Sequence, residues 1–358
     1  MHKLLATSTI LEHELSELRL LVERQTGVVL DCSNNALATH VTDYIEAQDL
    51  GSSAALLDRL RSQDQDPANW SSLLEGLVNS NTGFYRHPGA LNALARQVIP
   101  QLCARKSIDG PSPLRIWSAG CATGEETYSI AMAVCDAMSQ AGTTPANVAS
   151  PSNNGGGTGS AKATRNGGIG EIMGTSASAR SAAPFSLHIV GSDLLPRSIE
   201  TADRGVYPQS ALEGLPPAII RNYFSKISSP GVLLNDDAEK PFKNGASTVS
   251  QNSRNGSGQL SVKPRLRSLV TFNCMNLARP GYIGRFEVIF CMDVLPHFSR
   301  AQRIALLERL HLYLEPGGYL FLSQTEKLAS SNLNFRSETF DGYTFHRKPL
   351  AASAAYGR

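Results

Sequence analysis

Ile116-Trp117-Ser118-Ala119-Gly120-Cys121-Ala122-Thr123-Gly124-Glu125-Glu126-Thr127-Tyr128-Ser129-Ile130 is the stretch that decides the fold of this chain. A short apolar run starts at Leu114 and stops at small residues, and an amphipathic helix over 128–138 follows. Strand, loop and helix in that order open a parallel sheet, in which ligands bind beyond the carboxyl ends of the strands. The small residues from Gly120 to Gly124 let the backbone approach such a ligand, and they make Gly120 a candidate binding residue. The loop is not GxGxxG, so the standard dinucleotide fingerprint is absent. Taken alone it reads equally well as an ordinary strand-to-helix turn.

Outward from this unit the same alternation recurs. A strand is expected over 187–190, closed by Gly191-Ser192-Asp193, and another over 286–291. A helix carries Ile304, Leu306, Leu307 and Leu310. The turn Pro316-Gly317-Gly318 precedes a strand over 319–322, and Tyr343-Thr344-Phe345 reads as an edge strand. Short apolar strands alternating with helices make an α/β, doubly wound sheet. Towards the N-terminus, from about 9 to 77, Leu15, Leu18, Leu20 and Leu21, then Leu56, Leu57 and Leu60, then Leu73, Leu74 and Leu77 fall near helical spacing. They predict a small helical domain over 1–85, linker included, with a further helix over about 90–103 leading into the main domain over 86–350. Two stretches, 141–183 and 235–258, are rich in Gly, Ser, Ala, Asn and Thr. They bury too little apolar surface to offset ordering entropy, so both are expected to be flexible insertions.

Composition narrows the function. The 358 residues carry 33 Lys and Arg against 31 Asp and Glu, a net charge of +2, which gives no footprint for general nucleic-acid binding. The six cysteines form no CxxC pair, so no zinc site or disulfide framework is expected. No apolar run approaches the roughly 18 residues that span a bilayer, and no signal-peptide cleavage pattern is present. The expectation is a reduced, cytoplasmic protein without a metal.

Two kinds of acid mark a ligand site. Asp193, ending the second strand, stands where ribose hydroxyls are held in such folds. Glu125 and Glu126 open the following helix, where negative charge is favourable in any case. A ligand bearing an ammonium and a sulfonium, as S-adenosyl-L-methionine does, gives those carboxylates something to bind; a nucleotide phosphate does not.

At this point the chain resembles the CheR-type chemotaxis-receptor (protein-glutamate) methyltransferases. The likeness is carried by Asn81-Thr82-Gly83-Phe84-Tyr85-Arg86, by residues 116–130, by Gly191-Ser192-Asp193, by Phe290-Cys291 with Val294 and Phe298, and by 316–326. Gly27-Val28-Val29-Leu30 resembles part of the family's N-terminal domain, and about 205–272 its inserted small β-subdomain. The resemblance implies a Rossmann-like, S-adenosylmethionine-dependent methyltransferase sheet that yields S-adenosyl-L-homocysteine and methylates glutamate carboxylates of a chemoreceptor or related signalling protein. It also implies a monomer, with at most peripheral contact at a membrane receptor. Residue by residue, Thr82 and Arg86 match positions reaching the cofactor or the substrate carboxylate. Glu126 and Asp193 match cofactor-binding acids, Asn276 and Leu277 the segment beside the adenine, and Cys291 and Met292 further cofactor-lining positions.

A glutamate carboxylate is ionised at neutral pH, with an ordinary pKa near about 4.3, so the reaction needs positioning rather than a base. A bidentate arginine suits that task, which makes Arg86 the leading catalytic candidate, the alternative being a surface salt bridge. Departures from the family lie on the substrate side. Ser80 replaces an asparagine that contacts the cofactor. Met292, Asp293 and His297 replace arginine, asparagine and a substrate-orienting tyrosine. His297 is either a substitute hydrogen-bonding group or a surface histidine beside Pro296. The second helix carries His40, Asp43 and Glu46 where the family has arginines, and 34–49 contains no Lys or Arg at all. These changes keep two alternatives open: a different methyl acceptor, or a degenerate cofactor-binding signalling scaffold.

Overall fold

The computed structural model describes residues 10–62, 67–78, 82–109, 113–142, 186–227, 258–281, 284–328 and 333–350. The expected insertions, 141–183 and 235–258, lie outside these residues except at 141, 142 and 258. Ser80, a predicted site residue, also lies outside them.

The chain opens with α1 (Glu12–Thr26), α2 (Asn34–Ala47), α3 (Ser53–Arg61) and α4 (Pro67–Leu74). Leu15, Leu18 and Val22 form the buried stripe of α1 and pack with Leu37, Val41, Leu56, Leu57, Leu60 and Leu73 into one cluster. Each fully buried aliphatic side chain contributes roughly 1.5–3 kcal/mol. Leu20 falls off that stripe and stays 62% exposed, so the run of leucines in the sequence overstates the apolar face. The cluster also takes in Leu195, which belongs to the main domain. The helical unit is therefore packed against the rest of the protein and does not hang from its linker.

A continuous helical rod follows: α5 (Pro88–Ala93), a π-helical turn at Leu94–Val98, and α6 (Ile99–Asp109). Pro88 sits in its first turn, where a missing N–H costs nothing. Then come β1 (Leu114–Ala119), α7 (Glu125–Gln140), β2 (Leu187–Asp193), α8 (Pro196–Arg204), β3 (Val206–Pro208), α9 (Pro217–Tyr223), β4 (Phe224–Lys226), β5 (Gln259–Val262), α10 (Pro264–Arg267), β6 (Val270–Cys274), β7 (Phe286–Cys291), α11 (Arg300–Tyr313), β8 (Leu314–Leu322), β9 (Arg336–Phe340) and β10 (Tyr343–Arg347). The main sheet has seven strands in the order β6-β2-β1-β7-β8-β10-β9. Strands β6 to β8 pair in parallel, and β10 and β9 close one side as an antiparallel hairpin. Because β1 pairs with β2 on one side and β7 on the other, strand order reverses at β1, and a crevice opens at its carboxyl end. This is the expected α/β, doubly wound sheet.

Several elements differ from the sequence expectation. Gly191, Ser192 and Asp193 continue β2 rather than closing it, because they pair with Ser118 and Ala119 on one side and with Phe272, Asn273 and Cys274 on the other. Strand β8 starts at Leu314, and Pro316-Gly317-Gly318 form an irregularity inside it, spanned by the pairs Phe286 with Leu314 and Val288 with Tyr319. Tyr343-Thr344-Phe345 are not at an edge: β10 lies between β8 and β9, and the polar strand β9 takes the edge. Helix α7 is no half-exposed amphipath, since every residue from Thr127 to Cys135 is buried. The small antiparallel sheet β3-β5-β4 falls within 205–272, but β6, which begins at Val270, belongs to the main sheet.

The small sheet reaches back to the crevice. Phe84 of the linker packs edge-on against Tyr207 and Phe224, with ring centroids 4.9 and 5.3 Å apart. The Tyr207 hydroxyl donates to the Thr123 carbonyl at 2.7 Å. On the other flank, Gly27 ends α1 at φ +78°, and Val28 bridges to Phe298. A Cβ at Gly27 would lie 2.3 Å from Ala278 Cβ and 3.0 Å from the Phe298 ring. Gly27→Ala is therefore expected to lower stability by about 1–3 kcal/mol through overpacking and strain. Chemical denaturation monitored by Trp fluorescence checks this; an unchanged midpoint would show that the helical unit moves aside at no cost.

Candidate active site

The crevice is shaped first by the backbone after β1. Gly120, at φ +80°, and Cys121 both donate their N–H to the Ser192 carbonyl, at 2.8 and 2.9 Å. A side chain at Gly120 is impossible as packed, since its Cβ would lie 2.4 Å from Val294 Cγ2. Ala122, at φ +45°, donates to Asp193 Oδ2 at 2.9 Å, and Leu195 N donates to Asp193 Oδ1 at 3.0 Å. The acid at the end of β2 thus holds the loop in shape with one lone pair on each oxygen. The remaining acceptor capacity of each oxygen is what a ribose diol needs.

Beyond this loop lies a cavity of about 360 Å³. Gly120, Glu126, Asp193 and Ser129 form one wall, and Asn276, Leu277, Met292 and His297 another. The linker contributes Thr82, Tyr85 and Arg86, while Thr26 and Val28 of the helical unit also face it. Tyr85 is held at φ +52°, its N–H donating to Ser129 Oγ at 2.9 Å, and this turn sends Arg86 into the cavity.

Three predicted residues stand apart from that wall or outside the described chain. Glu125 is buried, but its carboxylate accepts from the Thr123 hydroxyl at 2.7 Å and does not line the cavity. Cys291 is fully buried on the opposite side of the sheet, packed with Trp117 and Ala119, whereas its neighbours Phe290 and Met292 face the cavity. Period-two alternation along a strand carries that distinction. Ser80 belongs to the residues not described. Asn276 lines the cavity with its amide already engaged: Nδ2 donates to the Gln25 carbonyl at 3.2 Å and Oδ1 accepts from Ala278 N at 2.8 Å. Its evident work is to tie the helical unit to the cavity wall.

Electrostatics separate the carboxylates. Glu126 accepts from Ser118 Oγ at 2.7 Å, and burial pushes its pKa up to about 7, with Asp293 and Glu326 adding to the rise and Ser118 and Arg86 opposing it. Burial also raises Asp193, against the pull of its backbone donors. Burial lowers His297 despite the nearby carboxylates of Asp193 and Asp293, so its imidazole is neutral at neutral pH. Asp293 sits at φ +56° and accepts on Oδ2 from Arg86 at 3.1 Å and from His87 Nε2 at 2.9 Å. Sequence reading noted Asp293 only as a departure and passed over His87 and Glu326. Glu326 accepts from Asp293 N, Leu295 N and Ser323 N at 3.2, 2.9 and 2.8 Å, which fixes the turn after β7. No local signal marks this role, because the partners are far apart in sequence.

A buried carboxylate on a cavity wall, held by a hydroxyl and raised in pKa by burial, is the complement of a cationic ligand group. Together with the apolar strip of Leu277, Met292 and Phe298 and the open acceptors of Asp193, it fits a sulfonium- and ammonium-bearing nucleoside. Among the described residues no cluster of His, Cys, Asp and Glu could hold a metal ion.

Comparison with known proteins agrees. Residues 80–151, 173–243 and 246–343 match the family described as CheR methyltransferase, SAM binding domain. The chain is 27% identical over 313 residues to chemotaxis protein methyltransferase 1 of Pseudomonas aeruginosa, covering 87% of this chain and 88% of that protein. It is 24% identical over 318 residues to chemotaxis protein methyltransferase Cher2 of Pseudomonas putida, covering 88% of this chain and 90% of that protein. A solved structure of magnesium protoporphyrin IX methyltransferase from Synechocystis PCC 6803 with bound SAM is 15% identical, with a TM-score of 0.26 over 88% of this chain and 96% of that one, too loose a superposition to carry an argument. The cofactor is S-adenosylmethionine.

If Glu126 meets the positive charge of the cofactor, binding is expected to depend on pH in a defined direction. Its pKa in the protein lies above the ordinary 4.5, so it stays protonated where a free carboxyl is charged, and its contribution to stability falls as pH rises from about 4.5 to 7. A cationic ligand favours the charged form. S-adenosylmethionine should therefore bind more tightly as pH rises from about 6 to 7.5, with proton release. Calorimetry in two buffers of different ionisation enthalpy reads this directly. Glu126→Gln should abolish the proton release and weaken binding at least about tenfold, roughly 1.4 kcal/mol; wild-type affinity in that variant would remove Glu126 from the cofactor site.

Proposed function

The chain belongs to the CheR methyltransferase family, and from that premise we propose that this S-adenosylmethionine-dependent enzyme methylates glutamate side-chain carboxylates of a chemoreceptor or related signalling protein, in the cytoplasm, giving the glutamate methyl ester and S-adenosylhomocysteine. The observation that carries the reading is Arg86: it faces the cavity from the linker with a carboxylate, that of Asp293, already 3.1 Å from its guanidinium. An arginine that receives a carboxylate inside the cofactor cavity is the positioning device this reaction needs.

When bound, the cofactor supplies a methyl group already activated by positive charge on sulfur. The chain supplies orientation. Arg86 fixes the acceptor carboxylate, which is ionised without help from a base. His297, neutral and half-buried beside Asp193 and Asp293, offers one ring N–H and one acceptor to orient that carboxylate or the chain carrying it. Glu126 balances cationic charge on the cofactor. Gly120, Asp193, Leu277, Met292 and Thr82, which line the cavity, would hold the nucleoside. Thr26, Val28 and Phe298 cover the cavity and reduce the water that competes with the acceptor.

A different acceptor is the second reading, and one feature favours it. Asp43 and Glu46 are exposed on α2, while His40 turns inward, its Nε2 2.8 Å from the Leu73 carbonyl. That face is acidic and repels a glutamate-rich helix at modest ionic strength. Incubation with tritiated S-adenosylmethionine and a membrane-containing extract separates the two: a base-labile label on a receptor is expected, whereas a base-stable label would sink the glutamate assignment. Arg86→Ala is expected to retain S-adenosylhomocysteine within a few-fold and to lose methyl transfer by at least about a hundredfold, the effect of a misplaced reacting group. Normal turnover by that variant would take Arg86 out of the mechanism.

A further inference from the structure

The Arg86–Asp293 pair has an implication for how an acceptor enters. Asp293 occupies a left-handed backbone conformation, φ +56°, that costs a non-glycine residue free energy and needs support from its surroundings. Support comes from Glu326, whose two oxygens hold the N–H groups of Asp293 and Leu295. The turn is thereby locked, and the Asp293 side chain is aimed at the linker. There a single oxygen, Oδ2, meets both Arg86 and His87, with the aspartate side chain still 31% exposed and that of Arg86 41% exposed. The pair thus joins the linker to the turn after β7 at the cavity wall.

Charge makes this pair consequential. Glu326 lies close enough to raise Glu126, and Arg86 and Asp293 act on Glu126 with opposite sign. Glu126 is held by Ser118, and Glu326 by backbone amides, so neither is placed to leave. An acceptor carboxylate arriving at Arg86 adds a further negative charge beside these. Asp293 is the group that can yield, because its own oxygen already has His87 as a second partner at 2.9 Å.

We propose that Asp293 is an internal occupant of the acceptor-carboxylate position: it holds Arg86 until an acceptor carboxylate displaces it towards His87, and this displacement sets the affinity for the acceptor. The inference rests on the glutamate reading above and makes Asp293 a specificity-determining residue. Weak carboxylates in solution fail to displace it; an acceptor that also binds elsewhere on the protein succeeds. Asparagine at this position keeps the size and removes the competing charge.

The test needs no turnover. N-acetylglutamic acid α-amide, a minimal glutamate side chain, is titrated into the S-adenosylhomocysteine complexes of wild type, Asp293→Asn and the double variant Asp293→Asn with Arg86→Ala. S-adenosylhomocysteine affinity, measured on each, reports that the site is intact. Asp293→Asn is expected to bind the probe about tenfold more tightly than wild type, and the double variant is expected to lose that gain. Unchanged or weaker binding by Asp293→Asn would show that the aspartate merely orients Arg86, and a gain that survives loss of Arg86 would place the competition elsewhere; either overturns the proposal. If Asp293→Asn fails to hold S-adenosylhomocysteine, Asp293→Ser is read by the same criteria. Failure of the glutamate reading itself would appear separately, as a base-stable product from the wild-type enzyme.

Discussion

One carbonyl oxygen sets the geometry of this protein's working end. Ser192 O accepts from both Gly120 and Cys121, drawing the end of β1 against the end of β2 at the point where strand order reverses. Two donors on one acceptor leave the loop little freedom, and φ +80° at Gly120 follows from it. With the loop turned there, Ala122 faces the Asp193 carboxylate, Val294 fills the space where a Gly120 side chain would go, and α7 starts with Glu126 on the cavity wall. Few of these placements survive a shift of the loop by one residue.

Among the charged side chains lining the cavity, the carboxylates of Glu126, Asp193 and Asp293 outnumber the guanidinium of Arg86, with His87 and His297 beside them. Carboxylates this close are tolerated because each is assigned a different holder: a hydroxyl for Glu126, backbone amides for Asp193 and Glu326, and the side chains of Arg86 and His87 for Asp293. The arrangement favours a ligand with positive charge.

The sequence was most legible where the physics is local. Parallel strands buried on both faces are continuous apolar runs, and β1, β2 and β7 showed as such. The edge strand β9, Arg-Ser-Glu-Thr-Phe, has no such run and was missed, while β10 beside it was mistaken for the edge. Pro316-Gly317-Gly318 punctuated β8 because a turn signal and a strand irregularity use the same residues. Within the site, Gly120, Glu126 and Asp193 followed from fold logic. Cys291 was named with Met292 from the family resemblance, and Glu125 with Glu126 as an acid pair, although strand alternation and the 100° step of a helix turn neighbours in different directions. The pairing of Asp293 with Arg86 and His87 joins residues some two hundred positions apart, and the role of Glu326 depends on the same long-range closure. Neither has a one-dimensional signature.

The helical unit is part of the cavity. It lends Thr26 and Val28 to the lining, packs Leu195 of the main domain into its own core, and meets the wall through Gln25 and Asn276. The helical unit and the cavity of the main domain are therefore not modules that can be exchanged independently. A substitution on the packed face of α1 or α2 also strains the seam at Gly27 and Phe298. Change that leaves this seam intact is confined to the solvent side of those helices.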